Sequence, residues 1–280
     1  MAVAFIGVPF VTDRVGAKDV NHLLAEAQRH PIQGWDFRWV REGGRFHEEP
    51  LPWDYSDLVA QRARGSPDLL DLGTGGGERL AAVSPRPGLT VATESYPPNV
   101  RVAARRLVPL GVHLVRSSGA PDNVPGGGAP SAGLLPFRDG AFHLVIDRNE
   151  AYVPREVARL LAPGGSFLTE QSGSAEIPEL YRLLDLRPPP DLGPGRSLDL
   201  ARHQLMAVGL APLAGGEADF AMSFRDVGAL AWYLAAVSWA VPGFSMKSQR
   251  GALERLHRRI AEEGPIRVPR HAFWLEAQKR

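Results

Sequence analysis

The sequence predicts an α/β fold: a doubly wound, seven-stranded, mostly parallel sheet of Rossmann-like type, with an N-terminal helical cap and a C-terminal helical insert. Three observations lead there. From Ser66 onward, short apolar runs alternate with helix-patterned segments, as in a parallel sheet with helices on both faces. One apolar run leads straight into Gly73, Gly75, Gly76 and Gly77, four glycines in five positions. Cysteine is absent from the 280 residues, so the fold rests on its core and not on disulfides or thiolate-bound metals. A chain of this length buries a substantial core unaided.

The elements follow in order. Val20–His30 has a helical pattern stopped by Pro31, and Asp54–Arg64 has a second. Two aromatic clusters lie between and beside them, Trp35–Trp39 and Trp53–Tyr55, with a Gly43–Gly44 turn between. Strands are expected at Leu69–Leu72, Leu89–Thr93, Val112–Val115, Phe142–Ile146 and Ser166–Thr169. Helices are expected between them at Glu78–Val83, Asn99–Leu107 and Arg155–Leu161, the last ending at Pro163–Gly164–Gly165. Right-handed crossovers then wind the sheet in both directions. Beyond Glu170 come helices near Ile177–Leu184 and Leu198–Val208, parted by Pro188–Pro189–Pro190. A strand at Leu210–Phe220, an apolar helix over 227–241, a charged helix at Gly251–Glu263 and a closing strand at Val268–Ala277 complete the chain. Residues 1–65 read as the cap and 66–280 as the sheet domain, with the insert at about 222–263.

Composition narrows the function. Hydrophobic residues are 44% and charged residues 22%, an ordinary globular balance. Lysine plus arginine is 32 against 31 acids, a net charge of +1, which gives no whole-chain field for a polyanion. The pairs Arg105–Arg106 and Arg258–Arg259 are too sparse for a nucleic-acid track. Met1–Val11 is apolar but lacks a basic leader region, so a cytoplasmic location is expected. The uncharged run from Val227 to Met246 is broken by Pro242–Gly243 and reads as a buried helix, not a membrane span. No His/Asp/Glu grouping has metal-ligand spacing, so no metal is expected.

The glycine run excludes two nucleotide motifs. Counting from Gly73 and Gly75, the third glycine of a dinucleotide fingerprint falls on Glu78. No Lys-Ser/Thr follows, so it is not a P-loop either. Asp71-x-Gly73-x-Gly75-x-Gly77 instead resembles motif I of the class I S-adenosylmethionine-dependent methyltransferases. Glu94 ends the next strand, where an acid accepts both ribose hydroxyls in that family. Leu134-Leu-Pro-Phe-Arg-Asp139 with Phe142–Asp147, and Glu156-Val-Ala-Arg-Leu-Leu-Ala-Pro-Gly-Gly165, are similar to later segments of its type 11 group. The resemblance is strong over about 66–172. It implies S-adenosylmethionine as donor, S-adenosylhomocysteine as product, and a donor site at Asp71, Gly73, Thr74, Gly75, Gly77, Glu94, Ser95, Ser118, Gly119, Asp147 and Arg148. His143 departs from the usual aspartate. The acid that often follows the third strand is also missing there, where Ser118, Gly119 or Asp122 stands instead.

Methyl transfer from a sulfonium needs alignment and a dry pocket, and a base only if the acceptor keeps its proton. Candidates at strand ends are Glu150 and Asn149, with His47 as a further possible base. Glu150 also has a plain reading as an acid at the start of a helix. Trp35, Trp39, Trp53, Tyr152 and Gln171 are candidate acceptor contacts. A small apolar or aromatic acceptor fits the neutral charge and the aromatic residues. The alternatives are an RNA or protein methyltransferase, and a donor-binding protein without turnover.

Overall fold

The computed structural model describes residues 19–32, 36–120, 133–189 and 195–280. Trp35, Asp122 and most of the glycine-rich 117–133 stretch lie outside them. The chain runs α1 (Val20–Arg29), α2 (Arg38–Glu42), β1 (Phe46–Glu48), α3 (Tyr55–Ala63), β2 (Asp68–Leu72), α4 (Glu78–Ala82), β3 (Leu89–Glu94), α5 (Pro97–Leu107) and β4 (His113–Arg116). It continues through β5 (Phe142–Arg148), α6 (Pro154–Leu160), β6 (Leu161–Ser172), α7 (Glu176–Leu183), α8 (Leu198–Met206), β7 (Leu210–Phe224), α9 (Val227–Ala236), α10 (Arg250–Glu263) and β8 (Ile266–Lys279).

Among the described residues one sheet holds all eight strands, in the order β1-β7-β8-β6-β5-β2-β3-β4. The five strands β4, β3, β2, β5 and β6 are parallel, and β8, β7 and β1 are antiparallel to their neighbours. Seven strands were expected. The eighth, β1, is only three residues long and pairs Phe46 with Phe224 at the sheet edge. A run so short carries no readable alternation, and its strand state comes from that pairing.

Three further boundaries differ from the sequence reading. The helix α2 forms inside the aromatic cluster, where no period was visible. The turn Pro163–Gly164–Gly165 does not separate helix from strand, because β6 already begins at Leu161 and carries the turn within it. The apolar helix stops at Ala236, not 241, because Val237 leaves helical geometry at φ −103° and ψ 56°. Among the described residues, no helix is long and apolar enough to cross a membrane.

Strand alternation sorts the core into two faces. Leu70, Leu72, Val145 and Phe167 pack with α6 and α8, while Leu69, Ile146 and Leu168 pack with α3, α4 and α5. A third cluster joins α1, α2, α7, α9 and α10 over the far end of β7 and β8. Nearly every side of α9 is buried there, so its run of apolar residues needs no amphipathic face. Asp226 caps α9 by accepting from the Ala229 amide at 2.9 Å, and it pairs with Arg45 at 2.6 Å.

The later motif segments hold each other. Glu156 accepts from the Leu135 amide at 2.7 Å, and Arg159 donates to the Phe137 carbonyl at 2.7 Å. His143 stands beside Asp68, with its Nδ1 2.8 Å from the carboxylate.

Candidate functional site

The chain leaves β2 for β3 and β4 on one side, then returns to β5 and β6 on the other. The switch between β2 and β5 opens a crevice at their carboxyl ends, the place where open α/β sheets bind ligands. The glycine run fills that position. Gly73, Gly75 and Gly77 have φ of 62°, 62° and 79°, values that side chains other than glycine rarely adopt. The end of β3 pins the turn. The Thr93 carbonyl accepts from the Thr74 amide at 2.8 Å, and the Thr93 hydroxyl accepts from the Gly73 amide at 3.2 Å.

Glu94 is buried and holds two backbone amides, Gly75 at 2.7 Å with one oxygen and Tyr96 at 2.8 Å with the other. Each carboxylate oxygen keeps a further lone pair. A cleft runs beside it, lined by Gly73, Glu94, Ser95, Ser118, Gly119 and Glu150 among others. Four acids converge on this edge. Burial first, then the charges of Glu94 and Glu150, push Asp71 up to about 7. Burial first, then Glu94, pushes Glu150 up to about 7, with Arg196 pulling the other way. Asp147 is fully buried and also raised, by burial and by Glu150. One of its oxygens accepts from Thr169 at 3.0 Å and from Gln171, and the other has no hydrogen-bond partner among the described residues.

Asn149 sits in left-handed geometry at φ 58°. Its side-chain oxygen accepts from the Ser172 amide at 2.9 Å, and its own amide donates to the Glu170 carbonyl at 2.8 Å. This turn throws Glu150 back over Gly73. Gln171 lies beneath, donating to the Glu150 carbonyl at 3.0 Å and accepting from Arg196 at 2.9 Å. On the opposite face, Arg148 pairs with Glu170 at 2.6 Å, and the Trp53 ring nitrogen donates to the other Glu170 oxygen at 2.8 Å.

The structure therefore gathers Asp71, Gly73, Thr74, Gly75, Gly77, Glu94, Ser95, Ser118, Gly119, Asp147, Asn149 and Glu150 around one crevice. Arg148 and Trp53 stand on its α3 side. Tyr152 lines the cleft but has its ring buried against Phe167 at 4.9 Å between centroids, as wall and core together. Two residues are not brought there. His47 lies exposed on β1, four strands across from β5. Trp39 stacks on His30 at 4.6 Å and packs on Trp232, where apolar burial with α9 outweighs exposure at the crevice.

Two residues at this edge had no visible signal. Arg196 follows the Pro-rich linker, and only folding carries it to Gln171. His271 lies on β8 against Gly173, at the carboxyl end of β6, with Glu217 3.3 Å from its ring. The Ala272–Ser172 register puts it there.

No protein-family model and no curated protein matches the chain. Solved structures do. A candidate methyltransferase from Bacillus halodurans is 16% identical, with a TM-score of 0.55, over 80% of this chain and 98% of that one. The YcgJ protein from Bacillus subtilis is 20% identical, with a TM-score of 0.53, over 80% of this chain and 97% of that one. The strand order and these likenesses agree with the sequence resemblance: the chain has the fold of the class I S-adenosylmethionine-dependent methyltransferases.

Proposed function

We propose that the protein is an S-adenosylmethionine-dependent methyltransferase acting on a small, apolar or aromatic acceptor. One observation carries the donor assignment: the positive-φ turn Gly73–Gly77 lies against Glu94, whose carboxylate is fixed by two amides and still has lone pairs for a diol. The charge also fits. Glu94 and Glu150 line the cleft and Asp71 and Asp147 are buried at the adjoining strand ends, an acidic setting in which a sulfonium and an ammonium would be welcome, and burial in low dielectric strengthens that attraction.

The donor, when bound, supplies a methyl group already activated on sulfur. The chain's own residues then have three tasks. Glu94 accepts the ribose hydroxyls, and Ser95, Ser118 and Gly119 edge the space for the base. Glu150 leaves its place over Gly73, and with a pKa near 7 it is able to take a proton from an acceptor at neutral pH. Trp53, just before α3 and fixed to Glu170, is placed to meet an acceptor. Exclusion of water there supports in-line displacement.

Calorimetric titration with S-adenosylhomocysteine tests the donor assignment. Binding is expected in the parent, and Gly75→Val is expected to abolish it. Unchanged affinity in that variant sinks the reading. Incubation with a metabolite pool, followed by assay of released S-adenosylhomocysteine, separates an enzyme from a donor-binding protein. Salt-sensitive retention of RNA would favour a nucleic-acid acceptor instead.

A further inference from the structure

Beneath the Glu150 turn, one buried amide joins two acids to a cation. Gln171 is fully buried on β6. Its Oε1 accepts from the Arg196 guanidinium at 2.9 Å. Its Nε2 donates to the Glu150 carbonyl at 3.0 Å, to the Thr169 hydroxyl at 2.9 Å and to the Asp147 carboxylate. A carboxamide can point two ways, and here its partners decide. Arginine has donors and no acceptor, so the Gln171 oxygen turns to Arg196 and the amino group is left for the other three. With the amide reversed, its oxygen would face the oxygens of Asp147 and Glu150, and buried polar groups would lose their partners.

Local structure holds Arg196 in place. It follows Gly195, at φ 73°, where the backbone runs so close to Gly173 that a Cβ built on Gly195 falls 2.8 Å from the Gly173 carbonyl oxygen. It precedes Ser197, whose hydroxyl caps α8 by accepting from the Leu200 amide at 3.2 Å. The arginine is thus set between a close glycine contact and a helix start.

Charge points the same way. The groups that face Glu150 come from four places: Asp71 on β2, Glu94 at the end of β3, Asp147 on β5 and Arg196 before α8. Three are acids. Arg196 is the cation of these four, and it favours the ionised form of Glu150.

We propose that Arg196 is a positioning residue for Glu150: it locks the Gln171 amide that holds the Glu150 backbone, and it supplies the counter-charge for the carboxylate. The inference rests on the proposed function only for the use of Glu150 as a base. The lock and the counter-charge belong to the free protein.

The full chain, isotope-labelled at glutamate carboxyls and glutamine side-chain amides, is titrated by nuclear magnetic resonance. Glu150→Gln and Gln171→Met identify the two signals by their loss. Arg196→Met is expected to raise the Glu150 midpoint by about one pH unit, roughly tenfold in proton affinity. It is also expected to open the Gln171 amide to faster solvent exchange. Arg196→Lys keeps a cation and a donor, and is expected to restore most of both. If Arg196→Met does not fold, Arg196→Gln, neutral and polar, takes its place in the titration. An arginine that merely braces the fold would lower the urea midpoint and leave the Glu150 titration where it was. That result overturns the proposal, as does a Gln171 amide equally protected in Arg196→Met. S-adenosylhomocysteine is titrated into the parent alongside. Absence of binding there removes the methyl-donor reading, while the Glu150 comparison decides the role of Arg196 separately.

Discussion

Glu150 lies directly over Gly73: a Cβ built on that glycine falls 2.6 Å from the Glu150 Oε2. The absence of a side chain at position 73 is what allows the carboxylate to fold onto the turn. Any ligand that settles on the turn must move Glu150 aside.

Gly73→Ala therefore combines two effects. The left-handed φ costs about 1–2 kcal/mol of stability for a residue with a Cβ, and Glu150 is pushed from its place. A fall in the urea midpoint of that size is expected, together with at least about tenfold weaker binding of S-adenosylhomocysteine. A variant as stable as the parent would show that the turn relaxes freely.

The acid pair gives a signed pH dependence. Glu150 has a folded pKa of about 7 against an ordinary value of 4.5, and Asp71 about 7 against 3.8. The folded state thus binds more protons than the unfolded state between those limits. Stability from these groups is full below about pH 4, falls as pH rises, and levels off above about pH 7. Glu150→Gln is expected to flatten part of this slope and to be more stable than the parent at pH 8. Denaturation midpoints from pH 4.5 to 8.5 measure it. A parallel pair of curves would mean that Glu150 titrates normally.

Proton release should accompany ligand binding. A cationic ligand favours ionised Asp71 and Glu150, so S-adenosylhomocysteine, with its ammonium, is expected to displace protons near pH 6.5. Calorimetry in two buffers of different ionisation enthalpy reads the number directly. Equal heats in both buffers would contradict the coupling.

Glu94→Ala leaves the Gly75 and Tyr96 amides without their acceptor. A loss of about 1–3 kcal/mol in donor-product binding is expected, along with some loss of stability because the carboxylate already braces the turn. A 2′-deoxy analogue should lose less affinity in the variant than in the parent. The same loss in both proteins would take Glu94 off the ribose.

Trp39→Ala separates packing from binding. Trp39 stacks on His30 and contacts Trp232, and the Arg45 guanidinium lies 4.3 Å from its ring. The variant is expected to lose roughly 2–3 kcal/mol of stability, below the range for a fully buried tryptophan. Its affinity for S-adenosylhomocysteine should not change. Trp53→Phe removes the bond to Glu170 and is expected to reverse that pattern, with little loss of stability and weaker binding of the acceptor.

The sequence by itself determined the parallel core and the glycine turn. Both are local: an apolar run followed by Gly73–Gly77 has few conformations open to it, and strand periodicity places Glu94 at a strand end whatever else surrounds it. The cores of five parallel strands were legible for the same reason. Tertiary structure decided the rest. The three residues of β1 became a strand only by pairing with Phe224, and Trp39 was drawn into the α9 cluster because that surface buries it. Arg196 reached Gln171 across a proline-rich linker, and His271 reached Gly173 through the register of an antiparallel edge. Such contacts join residues far apart in the chain, and no short window of sequence contains both partners.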